Sequence, residues 1–394
     1  MIGYRRSGAL PDKPHTVHRD AGGALLYEHC HTRDGFDGPF SILYHRQPPQ
    51  FVGDGEVITP LFPGRSDGAP ASDSPVRRRH LDSLRAPPQG GPVTGRVPLL
   101  WNADLTIGVV RPTTEDDFLY MPGDGDELFF IQSGGGVLAS TFGTLSFSAG
   151  DYVFIPRGVP YHISLMADGA GAASQHWLWF ELRTGLKLPT QYRNPVGQLR
   201  MDAPYTARDF TASELGAPRG DVAELRTVVT KRADRFTRHS QRAPVLDVVG
   251  WDGYVYPFTF PIARFSPKIG QVHLPPTVHG TFATRGSLVC SFVPRKVDFH
   301  KDAIPCPYPH SNVDVDEVIF YCDGDFTSRR GVHAGSFSLH PAGIPHGPHP
   351  GAYERSIGAT ETGETAVMVD TFDPLRLTTD ALALDVPHYD DSWT

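Results

Sequence analysis

Three residues of this chain, His310, Glu317 and His346, carry side chains that can hold a divalent metal ion. They fall in HSNVDVDEVIFYCDGDFTSRRGVHAGSFSLHPAGIPHGPHP, on two strand-like runs joined by a turn-rich hairpin. Two imidazoles and one carboxylate leave half of an octahedral sphere open. That donor set suits Fe(II), which must also take a chelating substrate and O2. Eight of the 18 histidines lie between His273 and His349, more than twice an even share, so further imidazoles accompany the three. His273, in GQVHLPPTVHGTF, is a candidate general base, because an imidazole titrates close to working pH. His340, six residues before His346, would orient the substrate or a metal ligand through a hydrogen bond. Tyr308 and Asn312 flank His310 and would line the pocket, with Asn312 donating to a substrate oxygen.

The residues that must position this set follow a known spacing. Glu317-x6-Gly324 and Gly335-x5-Pro341-x-Gly343-x2-His346 make the skeleton of the two motifs of a cupin, a small β-barrel. The glycines serve tight turns and the proline closes a strand. Where the first motif usually has His-x-His, the chain reads His310-Ser311-Asn312, which leaves three protein ligands. Asp316 precedes Glu317, and the spacing to Gly324 selects Glu317 as the ligand, with a bulge or one extra residue before it.

The same grammar occurs earlier. Glu127 precedes Gly134 by seven, and Gly150 is followed by Pro156 and Gly158. Here MPGDGDE supplies no histidine upstream of the Glu, and Tyr161 stands at the position of the second-motif histidine. His162 comes one place late, which on a strand is the opposite face. The first copy should therefore be a metal-free barrel.

The expected fold is all-β: a duplicated barrel (bicupin) with additional N-terminal strands and a short, partly helical linker. The 41 Gly and 37 Pro support many short strands and tight turns. The expected parts are N-terminal strands and an irregular loop over 1–97, the metal-free barrel over 98–182 and a linker over 183–245. The metal-binding barrel then spans 246–375, and a tail spans 376–394. Within the first part, residues 62–97 read as a surface excursion whose RRRH cluster forms an exposed basic turn. TARDFTASELG and RGDVAELRTVVTKRADRFTRHS read as the most helical stretches, with Thr211 or Ser213 as N-cap. The basic run from Lys231 to Arg242 reads as a solvated face or a subunit contact.

A formal charge of −8 gives no reason to expect nucleic acid or a membrane surface as partner. The four cysteines, Cys30, Cys290, Cys306 and Cys322, are not at CxxC spacing, so neither a thiolate metal site nor a redox pair is expected. MIGYRRSGALPDKPHTVHRD lacks an apolar h-region and no run is long enough to span a bilayer. A cytoplasmic protein is the expectation.

LDVVGWDGYVYPF (246–258), the His273 segment, PYPHSN, DEV and SLHPAGIPHGPHPG together resemble homogentisate 1,2-dioxygenase over about 130 residues, with looser likeness in ILYHRQPP and the first barrel. The resemblance implies an Fe(II) enzyme that opens the ring of homogentisate with O2 to give maleylacetoacetate. It implies His310, Glu317 and His346 as iron ligands, His273 as base, and His340, Tyr308 and Asn312 as substrate contacts. It also implies a homo-oligomer, a trimer or hexamer. Two departures stand out. The carboxylate comes seven residues after His310 instead of six, and Phe326 occupies a region where an aromatic hydroxyl is expected. Gentisate or another hydroquinone acid is thus a rival substrate. A non-oxidative metal-dependent bicupin and a storage bicupin are rival functions.

Overall fold

The computed structural model describes the chain except residues 1, 51, 66–74, 167–174, 217–219, 270–275, 325, 327–328 and 394. Strands dominate it. Among the described residues the α-helices are two short ones, Ala352–Ser356 and Thr379–Leu384. Among the described residues no helix is long and apolar enough to cross a membrane.

The regular strand runs after Pro98 build the first barrel. An eight-stranded sheet has at its centre Asp126–Ser133, His176–Leu182 and Leu105–Val110. Every residue of the last two strands is buried, as expected for strands covered on both faces. A seven-stranded sheet carrying Gly135–Ser140, Gly143–Ser148 and Tyr161–Leu165 faces it. The second barrel is built on a six-stranded sheet in the order Gly280–Ala283, Ser287–Phe292, Thr365–Thr371, Asp316–Asp323, Ser336–His340 and Arg79–Asp82.

The duplication is visible in the turn glycines. Gly134 and Gly324 follow equivalent strands with φ of 82° and 98°. A Cβ there would stand 2.0 Å from Gln175 Oε1 in one barrel and 2.3 Å from Gly363 O in the other. Both positions need glycine for conformation and for space.

The two halves exchange strands. Arg79–Asp82, from the segment expected to be a surface loop, pairs antiparallel with Ser336–His340 and is largely buried. Its arginines are not an exposed basic turn: Arg77 and Arg79 bind Asp385, and Arg78 binds Asp390. In return Val248–Gly253 pairs with Arg5–Gly8 and Phe40–His45, and Phe258–Pro261 pairs with Asp151–Ile155 of the first barrel. A four-residue strand shows too little alternation to be read locally, and its pairing partner lies more than 250 residues away.

The helical pieces of the linker are short 3-10 turns, Thr190–Tyr192, Ala207–Asp209 and Gly220–Glu224, and Thr211 does not cap a helix. Thr211–Ala212 pairs with Thr259 and Phe258. Thr227–Arg232 and Arg235–Gln241 make a β-hairpin inside the seven-stranded sheet. Ala233 and Asp234 at its turn both have positive φ, 52° and 58°. That is the primed two-residue turn that matches strand twist. Because the turn carries Ala-Asp where Asn-Gly is usual, it gave no turn signal, and the TVVT run was the only sign of a strand. Lys231 in this hairpin is buried, with Nζ 2.6 Å from Glu181 and 3.1 Å from Asp124, so it is not a solvated cation.

The barrels share one core. Tyr152, Phe258, Phe260 and Phe282 pack across the junction, with Tyr152 and Phe282 edge to face at 5.4 Å. Polar bonds tie it: Gln132 Nε2 donates to the Cys322 carbonyl at 3.0 Å, and the hydroxyls of Tyr152 and Ser291 lie 2.9 Å apart.

Candidate metal centre

His310 and His346 approach because their backbones form a two-hydrogen-bond bridge. His310 N–H donates to the His346 carbonyl at 2.8 Å and His346 N–H to the His310 carbonyl at 2.9 Å. Their rings stand 4.4 Å apart between centroids. Glu317 enters from the strand Asp316–Asp323. On a strand, alternate residues share a face, so Glu317, Ile319 and Tyr321 point together. Glu317 Oε2 is 4.0 Å from His310 Nε2, and Oε1 is 3.7 Å from His346 Nε2. One donor atom from each of the three lies within 4.8 Å of the others.

The tautomers follow from the partners. A carbonyl oxygen only accepts, so His310 Nδ1–H donates to Tyr308 O at 3.2 Å and His346 Nδ1–H donates to Ile344 O at 2.9 Å. Each Nε2 therefore presents a lone pair to the space beside Glu317. His346 Nε2 is buried without a hydrogen-bond partner. A buried lone pair, a second imidazole and a carboxylate aimed at one point are what a divalent cation satisfies. The residues fit a metal. The His310 side chain is 33% exposed, against 5% for Glu317 and 1% for His346, so access is from the His310 side.

His340 takes a different place from the substrate contact implied by resemblance. It is fully buried, and its Nδ1–H donates to Glu317 Oε1 at 2.7 Å. Its ring stacks on His346 at 4.5 Å and 15°. It holds Glu317, stacks on His346 and has no open face for a substrate. Burial pushes the Glu317 carboxyl up, but interaction with His340 and His346 outweighs it and holds the group well below the usual carboxylate range. Burial lowers His340 to about 4, so it is neutral.

One residue of the site was missed. Asp370 stands directly opposite Glu317 in the neighbouring strand and is buried. Burial, then the charge of Glu317, pushes its carboxyl up to about 7. The second carboxyl is thereby kept partly protonated beside the first. Nothing near Glu317 in sequence announces it; only the strand pairing does.

The remaining candidates divide. Asp316 points away from the centre, its two oxygens accepting Ala342 N–H and Leu375 N–H, each at 2.7 Å. No bulge separates Asp316 from Glu317: the strand is in register with Thr365–Thr371 from Asp316 to Tyr321, and shifts only between Tyr321 and Asp323. Tyr308 is half exposed at the rim, its ring edge-on to His310 at 6.4 Å. Asn312 is half buried, and its carbonyl accepts Gly343 N–H at 2.8 Å. Phe326 is buried against the Tyr321 ring at 4.9 Å. His273 lies outside the described residues.

In the first barrel the equivalent place is filled. Arg96, fully buried, grips Glu127 through two hydrogen bonds of 2.5 and 3.2 Å, and Tyr161 donates to Glu127 Oε2 at 2.5 Å. His162 turns away to the Asp116 carbonyl at 2.8 Å. A further acidic group, Asp124, Glu181 and Asp234, encloses the Lys231 ammonium and is an ion-pair network.

Two cupin-type barrels, one plugged by an arginine and one with convergent His, Glu and His side chains, define a bicupin. Residues 102–262 match the family described as Homogentisate 1,2-dioxygenase N-terminal. A protein of Saccharolobus solfataricus, provisionally named a dioxygenase, is 34% identical over 397 residues, covering 100% of this chain and 99% of its own. Homogentisate 1,2-dioxygenase of Rhodopseudomonas palustris is 27% identical over 272 residues, 66% of this chain and 58% of that enzyme. The match thus spans under two thirds of that enzyme's length. Among solved structures, the chain is similar to a cupin 2 conserved barrel domain protein from Leptotrichia buccalis, at 10% identity and a TM-score of 0.33 over 74% of this chain and 96% of that one. The chain belongs to the homogentisate 1,2-dioxygenase family and is a dioxygenase of the bicupin fold.

Proposed function

We propose that the protein is an Fe(II)-dependent ring-cleaving dioxygenase acting on a hydroquinone-type aromatic acid, with homogentisate to maleylacetoacetate as the leading reaction. The observation that carries this reading is the convergence of His310, Glu317 and His346 on one point, with two imidazole lone pairs turned to it. Iron bound there would supply sites for a chelating phenol and for O2 and pass electron density between them.

The chain's own groups do the rest. His340 holds Glu317 in one orientation. Tyr308 and Asn312, at the rim beside His310, meet the incoming ring. We assign to His273 the removal of the phenolic proton at an imidazole nitrogen, which makes the ring electron-rich. Phe326 brings no hydroxyl to the pocket, an observation that favours keeping gentisate and related hydroquinone acids as second substrates. The working form is proposed to be a homo-oligomer, a trimer or hexamer.

The test is O2 uptake by protein reconstituted anaerobically with Fe(II). Uptake with homogentisate and formation of maleylacetoacetate are expected. No uptake with homogentisate or gentisate overturns the reading. His273→Ala should keep its iron and lose turnover; full turnover in that variant would remove the assigned base.

A further inference from the structure

His340 holds Glu317 through Nδ1–H, so its Nε2 is an acceptor, and that atom is buried with no partner. The ring standing against it is Trp393, edge to face at 6.4 Å and 90°. Its Nε1–H, a donor only, is also buried with no partner. An unmatched acceptor and an unmatched donor thus occupy neighbouring rings directly behind a metal-ligand carboxylate.

Trp393 is held there by contacts that no packing of a loose tail would need. Its ring centroid lies 3.8 Å from that of His349, and the Arg78 guanidinium sits 4.2 Å from the centroid of the indole. His349 Nδ1 accepts Arg330 N–H at 2.7 Å, so its Nε2–H donates to Ser392 Oγ, also at 2.7 Å. Arg78 Nε bonds Asp390 at 2.6 Å, and Arg77 bonds Asp385 at 2.7 Å. Val386 N–H donates to the His80 carbonyl at 2.7 Å. The Arg-rich segment 77–80 and the tail 385–393, neither of which the metal chemistry had used, are one clamp.

We propose that Trp393 is a positioning residue of the metal centre: its indole backs the His340 ring edge to face and carries an unpaired N–H available to His340 Nε2, and so fixes the imidazole that orients Glu317. The proposal rests on the metal-centre reading. The arrangement runs from the Arg77–Arg79 clamp through Trp393 and His340 to Glu317.

The test compares Trp393→Phe, which keeps an aromatic ring without the N–H, with Trp393→Ala, and adds Arg78→Gln, which loosens the clamp outside the site. Each is loaded with Co(II) for its visible absorption spectrum, and its Fe(II) affinity is measured anaerobically by chelator competition. The expectation is a changed Co(II) spectrum and roughly tenfold weaker metal binding in Trp393→Phe, as for loss of a group that orients a ligand. Trp393→Ala should be at least as weak, and Arg78→Gln should move in the same direction. Wild-type spectrum and affinity in Trp393→Phe overturn the proposal, whether or not Trp393→Ala is impaired, because ring volume alone would then suffice. If the wild-type protein takes up neither metal, it is the metal-centre reading that fails, and this proposal goes with it.

Discussion

The two barrels place a glutamate at the same point of the same strand and solve its burial in opposite ways. Glu127 faces Arg96, whose guanidinium sits against Tyr120 at 4.9 Å and Trp179 at 4.6 Å. Glu317 faces three imidazoles. A carboxylate out of water needs a compensating charge or donors. In the first barrel the compensating cation is part of the chain and permanent. In the second, the His340 N–H supplies a donor, and on the proposed reading a metal held with His310 and His346 would supply the charge. Strand partners follow suit: Ile155 stands opposite Glu127 where His340 stands opposite Glu317. One barrel spends its interior on stability, and the other keeps it open for chemistry.

Breaking the first barrel should have the largest energetic effect. Arg96→Ala strands Glu127 without its cation and is expected to cost about 3–5 kcal/mol, read as a lower denaturant midpoint. Pairing it with Glu127→Leu should recover much of that loss. An Arg96→Ala protein as stable as the parent would mean that the guanidinium is not the plug described here.

In the second barrel, His340→Ala should leave the fold in place but weaken metal binding by roughly 10–100-fold, as loss of a ligand-orienting partner does. Unaltered affinity in a chelator titration would reduce His340 to packing.

Acid should affect the metal-free protein through its buried imidazoles. Burial lowers His29, His31, His80, His340 and His349 to about 4 and His176 to about 3. Between pH ~6.5 and these values the unfolded chain binds protons that the folded one refuses, so stability falls as pH falls through that window. Glu317, depressed in the fold, adds a loss in the same direction at lower pH. Asp370, raised to about 7, opposes it, favouring the fold where it is still protonated. Asp151, also raised by burial, opposes it too, and six imidazoles against two carboxyls make the net slope positive. A denaturant midpoint that stays level from pH 7 to 4 would contradict this.

The smallest effect concerns the hairpin of the first barrel. Ala233 adopts φ 52°, which alanine tolerates poorly and asparagine better, so Ala233→Asn should stabilise by roughly 0.5–1 kcal/mol. Destabilisation there would count against the primed turn.

The convergence of His310, Glu317 and His346 in the second barrel was legible because motif spacing encodes local turns: Glu317 to Gly324 and Gly335 to His346 are each one strand end and one turn. That the first barrel lacks the histidines of the second was legible from Tyr161 and the His162 shift for the same reason. The cation that fills the place was not, since Arg96 lies 31 residues before Glu127 and meets it only through barrel closure. Asp370 and the strand Arg79–Asp82 were hidden likewise, their roles being set by which strand lies beside them. The hairpin at 227–241 was misread because its turn lacks glycine. The role of His340 needed geometry to choose between ligand and substrate.

The central claim is that the second barrel, and not the first, holds a metal through His310, Glu317 and His346. Metal analysis after anaerobic loading with Fe(II) and gel filtration tests it most directly, on the parent protein and on Glu317→Ala. The account predicts one iron per chain in the parent and essentially none in Glu317→Ala. Iron retained at the parental stoichiometry in Glu317→Ala would contradict it.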